Sequence, residues 1–237
     1  MVVWMVLAAA CLMLVVERLV PARRAEASAG WWLRVGLLNG AQAATAWVGA
    51  LSWDIWFASQ DSLLTVAGPL WLQVTAGYLL VTFVYYWWHR ARHSMPLLWT
   101  ALHRTHHSPT RLEVVTSFYK HPLELVANGL LSSALLAVVL GLSPAATTLT
   151  VLVTGLAELF YHWNVRTPRW LGWLFQRPEM HRVHHQRGVH TSNFSDLPLW
   201  DLLFGTFHNP HDDSVACGFP DEHRLGRILL GQPVRES

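Results

Sequence analysis

Residues 69–93 read PLWLQVTAGYLLVTFVYYWWHRARH, an apolar run of twenty residues that leads directly into His89 and, four residues later, His93. As a helix, a run of this length can cross about 30 Å of hydrocarbon. Residues i and i+4 of a helix share one face, so the two imidazoles point the same way. The stretch therefore predicts a membrane-spanning helix with potential metal ligands at one end.

The composition of the chain is that of a membrane protein. Of its 237 residues, 52% are hydrophobic and only 14% are charged, whereas roughly 25% are charged in an ordinary soluble domain. Four further apolar runs occupy about 2–16, 35–57, 123–142 and 145–163. The sequence predicts an all-α integral membrane bundle with four to five membrane segments, in preference to a soluble protein with a large apolar core.

The basic residues and the histidines fall on the same side of this predicted bundle. Lysine and arginine occur between segments one and two, between segments three and four, and after segment five. The connections at 58–68 and 141–146 contain none. Because cytoplasmic loops are rich in lysine and arginine, the histidines are expected to form a helical cap on the cytoplasmic face.

Two histidine triplets of identical spacing accompany the first pair. HRTHH occupies 103–107, HRVHH occupies 181–185, and one more histidine ends the fifth apolar run. Each triplet is expected to present its imidazoles on one helix face. A lone histidine is usually structural, but many clustered imidazoles would lack partners and would repel one another when protonated, and metal binding resolves both problems. The predicted ligands of a dimetal site are His89, His93, His103, His106, His107, His162, His181, His184 and His185.

Other binding functions are disfavoured. The net charge of +2 gives no sign of nucleic acid binding. Cys11 and Cys217 form no CxxC pair, which argues against a disulfide, a thiol redox pair and an iron–sulfur site. The histidines at 208, 211 and 223 lie in a polar segment without helical ligand spacing, and we do not predict them as ligands.

The identity of the metal is not decided by the ligand type. Nine imidazoles exceed the four ligands of one structural zinc, and imidazole suits zinc, copper, iron and nickel alike. A redox metal is favoured because the site lies at the ends of apolar helices, where a lipid chain could reach it, and reaction at unactivated hydrocarbon needs oxygen activation. A membrane dizinc hydrolase and a non-enzymatic metal-binding or transport protein are the alternatives. Transport is disfavoured because the apolar runs are almost free of ionisable residues.

Six short motifs together resemble one family of membrane enzymes. They are HRARH, HRTHH, HPLE at 121–124, HWN at 162–164, PEMHRVHH and NFSDLPLWDLLFGTF. Over residues 70–208 the chain resembles the fatty acid hydroxylase/sterol desaturase superfamily, except that Ser195 stands where that family usually has glycine.

The resemblance implies an integral membrane di-iron oxygenase that uses O2 to hydroxylate or desaturate a sterol, a fatty acyl chain or a related lipid. It implies two iron ions on the nine histidines and a separate electron donor, such as a ferredoxin, a cytochrome b5-like protein or a reductase. On this basis the chain divides into N-terminal anchor helices at 1–68, a catalytic domain at 69–208 and a polar C-terminal tail at 209–237.

Polar residues beside the predicted ligands are expected to orient imidazole N–H groups. Glu158 lies one turn before His162 and could reach the metal itself, and His121 could orient a ligand or the substrate. For each of these residues, a helix cap or an ordinary hydrogen bond is the alternative. The complete set is His121, Glu124, Glu158, Asn164, Asn193 and Asp201.

Overall fold

The computed structural model describes residues 2–24 and 26–237, which form helices joined by short connections. Within these residues there is no β-strand, so the predicted all-α class is confirmed. Segments of π-helix occupy Trp99–His103 and Ala134–Val139, and 3-10 turns occupy Val114–Thr116 and Arg169–Trp173. The α-helices are α1 (Val2–Leu19), α2 (Trp31–Leu51), α3 (Trp53–Ala58), α4 (Leu70–Ser94), α5 (Pro96–Leu98), α6 (Arg104–His107), α7 (Pro122–Ser133), α8 (Pro144–His162), α9 (Pro178–His184), α10 (Pro198–Leu203) and α11 (Leu225–Leu229).

Proline and serine set the boundaries of the long helices. α8 begins at Pro144, which needs no hydrogen-bond partner in a first turn, and the Ser143 hydroxyl accepts a backbone N–H of that turn at 3.3 Å. α4 stops just before Pro96, because the residue that precedes a proline disfavours helical geometry. α4 therefore carries His89 and His93 in its last turns.

The apolar core lies between α4, α8 and the π-helix Ala134–Val139 that directly follows α7. Gly77 allows α4 to approach α8, since a Cβ at this position would lie 2.8 Å from the Thr150 hydroxyl. The buried residues of this core are Val81, Leu135, Leu136, Leu140, Leu142 and Ala146.

Two helical stretches among the described residues are long and apolar enough to cross a membrane, judged by length and composition. They are Pro122–Val139, with a mean hydropathy of 1.7, and Pro144–His162, with a mean hydropathy of 1.2. α1 and α2 also expose large apolar side chains, including Trp4 at 73% and Trp47 at 68% exposure. Apolar surface on this scale is typical of contact with lipid or with a partner.

The last thirty residues pack against the histidine-bearing helices. The Arg104 guanidinium, which is 5% exposed, donates to the Gln232 carbonyl at 2.6 Å and pairs with Glu236 at 3.3 Å. Ile228 and Phe219 are buried at 0% and 3% exposure. The segment predicted as a polar tail therefore contributes core residues and holds the helix of the second histidine motif in place.

Candidate metal centre

The structure brings all nine predicted histidines together in two adjacent groups. Within each group the ligand atoms all lie within 4.8 Å of one another. The rings of His107 and His185, one from each group, stack with centroids 4.1 Å apart, so the two groups are in direct contact. The group of five contains His89, His93, His103, His107 and His184, and the group of four contains His106, His162, His181 and His185.

Each HxxHH triplet is divided between the two groups, contrary to the expectation of one face per triplet. The i and i+4 members of a triplet remain together, as His103 and His107 do in the group of five. The middle member, His106, joins the other group. Neighbouring residues of a helix are about 100° apart, so the adjacent histidines of a triplet point to different sites. The two triplets therefore tie the groups into one centre.

Backbone carbonyls fix the tautomers of two histidines in the group of five. His89 Nδ1 lies 2.8 Å from the Phe194 carbonyl oxygen, and His184 Nδ1 lies 2.8 Å from the Ser192 carbonyl oxygen. A carbonyl only accepts hydrogen bonds, so each Nδ1 carries the proton and each Nε2 keeps its lone pair. The Nε2 of His184 is buried and has no hydrogen-bond partner, as expected of a metal-ligating atom.

The Glu124 carboxylate contacts the Nδ1 of His103 and so orients this imidazole. Its Nδ1 lies 3.0 Å from Glu124 Oε1, and its buried Nε2 has no partner. The same Glu124 oxygen forms an ion pair with Arg92. Glu124 lies where the sequence predicted it, beside an imidazole N–H, and it is completely buried.

In the group of four the Nε2 atoms face one another. His162 Nδ1 lies 2.8 Å from the Glu158 carbonyl oxygen, which places the proton on Nδ1. Its Nε2 then meets the Nε2 of His181 at 3.0 Å and that of His106 at 3.3 Å. His185 Nε2 is 3.0 Å from His181 Nε2. Nitrogen lone pairs that converge in this way suit a cation between them.

Burial keeps the imidazoles of the cap neutral, which metal ligation requires. Burial lowers the pKa of His103, His106, His107 and His181 well below the usual value of 6.5, and neighbouring charged groups, mainly other histidines, add to this effect. The pKa of His184 is lowered to about 3, again mainly by burial.

The donor set therefore fits metal ions. Unpartnered buried nitrogens are rare in folded proteins because each one costs free energy. Eight such nitrogens belong to the nine clustered imidazoles. Within the two histidine groups, the buried nitrogens without a partner are His93 Nδ1, His103 Nε2, His106 Nδ1, both nitrogens of His107, His181 Nδ1, His184 Nε2 and His185 Nδ1.

Two of the predicted orienting residues act through backbone instead of touching an imidazole. Asp201 accepts the N–H groups of Phe194 and Ser195 at 2.8 and 3.0 Å, and so holds the loop whose carbonyl contacts His89. Asn193 has a φ of 58° and donates to the Met180 carbonyl at 3.0 Å. Ser195 does not have a positive φ, so the serine fits where the family usually has glycine.

The other three candidates are corrected by the structure. The Glu158 side chain pairs with Lys120 and does not join either histidine group, although its carbonyl holds His162. Asn164 exchanges hydrogen bonds with the backbone of Arg23 at 3.1 and 2.8 Å. His121 caps α7 by accepting a first-turn N–H at 3.0 Å. Spacing along the chain could not reveal these partners, which are caps and long-range contacts.

One histidine beside the centre was missed. His190 places its ring 5.2 Å from that of His93 and 4.8 Å from those of Trp99 and His107, and its Nδ1 is buried without a partner. It follows Gly188, which has a φ of 70° and lies beyond the end of α9. No helical spacing links it to the triplet before it.

The fold and the site define a helical protein with a largely buried, all-imidazole cluster that could hold metal at the ends of apolar helices. The family model described as fatty acid hydroxylase matches residues 74–206, and the chain belongs to this family. The match contains all nine clustered histidines.

Several characterised proteins are similar to the chain. The ornithine lipid hydroxylase OlsE of Rhizobium tropici is 34% identical over 70% of this chain and 51% of its own length. The alkylglycerol monooxygenase of Homo sapiens is 28% identical over 59% of this chain and 32% of its own length. A very-long-chain aldehyde decarbonylase of Oryza sativa subsp. indica is 32% identical over 61% of this chain. The chain thus spans about half or less of the length of these relatives, and no solved structure matches it.

Proposed function

We propose that the chain is a membrane-bound di-iron oxygenase that hydroxylates or desaturates a lipid with O2 and externally supplied electrons. The observation that carries the proposal is the pair of largely buried imidazole groups, five and four, and within each group the ligand atoms lie within 4.8 Å of one another. Family membership and the names of the relatives, which include a lipid hydroxylase and a monooxygenase, support an oxygenase over a dizinc hydrolase.

Two iron ions, when bound to these groups, would supply the oxygen activation that reaction at an unactivated C–H bond needs. The chain itself fixes the ligands. Carbonyls of Ser192, Phe194 and Glu158 and the carboxylate of Glu124 hold protons on Nδ1, so that Nε2 atoms face the centre. Burial of His103, His162 and His184 would limit the access of bulk water to the centre.

The position of the centre supports a lipid substrate of the sterol, fatty acyl or related type. His89 and His93 end α4, and His162 ends the apolar helix α8. Trp170 and Trp173, at 63% and 59% exposure, lie in the turn that precedes α9. Tryptophan at such a boundary anchors a protein at the headgroup level, so a chain in the bilayer would meet the centre from the apolar side.

The proposed topology has four to five spans, with the histidine cap on the cytoplasmic face. The connection between α1 and α2 contacts the end of α8, since the Ala22 N–H donates to the Asn164 carbonyl at 2.8 Å. This contact supports placing the arginines of that connection on the histidine side, which the charge rule assigns to the cytoplasm. In this arrangement residues 1–68 anchor the protein and 69–208 form its catalytic part, with a ferredoxin, cytochrome b5-like protein or reductase as electron donor.

The proposal is tested by turnover. Purified full-length chain, loaded with iron and supplied with a ferredoxin and its reductase, should consume O2 when membrane lipid extract is added. Mass spectrometry should find a lipid that has gained one oxygen or lost two hydrogens. Hydrolysis products without O2 consumption, formed best by zinc-loaded protein, would establish the hydrolase instead.

A further inference from the structure

A second cleft lies away from the metal centre, between the start of α2 and the C-terminal helix α11. It has a volume of about 790 Å³ and includes none of the clustered histidines in its lining. Its lining includes the leucines Leu33, Leu37 and Leu229 and three arginines. The proposed oxygenase reaction at the histidines does not use this cleft, so its combination of leucines and arginines calls for a separate explanation.

The cationic end of the cleft has guanidinium N–H groups that no carboxylate occupies fully. The arginines of the lining are Arg34, Arg224 and Arg227. The Arg34 side chain is 7% exposed and is already engaged by Glu222 at 3.5 Å, by the Ser28 hydroxyl and by the Ala29 carbonyl, so the available donors are those of the two exposed arginines. Arg224 reaches Asp221 only at 3.9 Å.

The acidic residues near these arginines are already engaged. Glu222 also accepts the Thr110 N–H at 2.5 Å, and Asp221 is bound by Arg235 at 3.2 Å. Arg227 lines the cleft and is exposed, and among the described residues it forms no ion pair. The arginines at this end of the cleft outnumber the two carboxylates, so a net positive charge remains, which suits a phosphate group held by bidentate guanidinium contacts.

The apolar end suits a hydrocarbon chain. Leu33 and Leu37 are 67% and 59% exposed, and their i, i+4 spacing places them on one face of α2. α2 continues from the cleft as an apolar helix, so a chain that enters between these leucines could lie along it.

We propose that this cleft binds one anionic membrane phospholipid, with its phosphate at the exposed Arg224 and Arg227 and an acyl chain along Leu33 and Leu37. A single molecule satisfies both ends of the cleft, since arginine attracts anionic headgroups and leucine contacts the chain. Because the bound lipid would contact both helices, it would stabilise the packing of α11, and of the C-terminal segment that contains it, against α2.

The test measures binding of dioctanoyl phosphatidylglycerol to purified full-length chain in neutral detergent by microscale thermophoresis. Saturable binding is expected, and Arg224→Ala with Arg227→Ala should weaken it about tenfold or more, because charge-assisted contacts are lost. The control is Arg24→Ala with Arg166→Ala, which removes the same charge from exposed residues outside the cleft and should bind like wild type. Metal content should be equal in both double variants.

Two further probes identify what the cleft recognises. Leu33→Gln with Leu37→Gln should weaken the lipid several-fold, and phosphatidylcholine and inorganic phosphate should bind much more weakly than phosphatidylglycerol. Equal binding of inorganic phosphate would mean a simple anion site, and equal binding of phosphatidylcholine would mean apolar adsorption; either result overturns the proposal. Equal loss in the two arginine double variants would also overturn it. If the Arg224→Ala, Arg227→Ala variant has a lower melting temperature than wild type, the lipid affinity of the single variant Arg227→Gln is measured instead, because that side chain is exposed and its replacement should not unfold the protein. Wild-type affinity of this single variant would then overturn the proposal.

Discussion

Replacing His184 by alanine should remove metal from the group of five. The imidazole is completely buried, its Nδ1 is held by the Ser192 carbonyl at 2.8 Å, and its free Nε2 faces the group. A structural zinc site binds with about 10–16 kcal/mol in total. Divided over five imidazoles, one ligand accounts for roughly 2–3 kcal/mol, which weakens metal affinity about 30–150-fold.

The assay compares metal per chain by elemental analysis after dialysis against a weak chelator, together with the melting temperature with and without added metal. His211→Ala is the matched control, because that histidine is exposed and belongs to neither group. Metal-dependent stabilisation should shrink in His184→Ala alone, since a ligand stabilises a fold according to its affinity. His184→Gln, of similar volume, separates ligand loss from cavity formation. Wild-type metal content in His184→Ala and loss of metal in His211→Ala would refute the assignment.

Three further predictions concern neighbouring features. Glu124→Gln should weaken metal binding about 10–100-fold, the usual cost of losing a contact that orients a ligand. Glu158→Gln should leave metal binding near wild type, because that side chain pairs with a lysine. Competition with a chromogenic chelator measures the metal affinity of both variants. Metal-free protein should melt at lower temperature as the pH falls from about 6.5 toward 3, because His184, with a folded pKa of about 3, takes up a proton in the unfolded state first; a melting temperature that is constant across this range would contradict it. Gly77→Ala should destabilise by about 1–3 kcal/mol, because its Cβ meets α8 at 2.8 Å, while Gly36→Ala, with nothing within 4 Å, should not, as thermal unfolding in detergent would show.

Much of this centre could be predicted from the sequence because its signals are local. Apolar runs of membrane length led to helices, and the HxxxH and HxxHH spacings named histidines that the structure brings together. The prediction that each triplet presents its histidines on one face was wrong, because each triplet is divided between the two groups. A shared-face rule treats i+3 and i+4 as equivalent, but His106 and His107 are adjacent and diverge.

The long-range contacts could not be predicted. Asn164 binds the backbone of Arg23 across 141 positions, and Arg104 is held by residues more than 120 positions away. Neither contact leaves a periodic trace in the sequence. Ser192 and Phe194 contribute only carbonyls to the centre, so their side chains give no signal of the role.

The most direct test of the central claim is the metal content of purified full-length chain. The protein should be expressed with iron and zinc both available and then analysed for both elements, because nine imidazoles in groups of five and four exceed the needs of one ion. The account predicts about two irons per chain. One zinc per chain and no iron would contradict it.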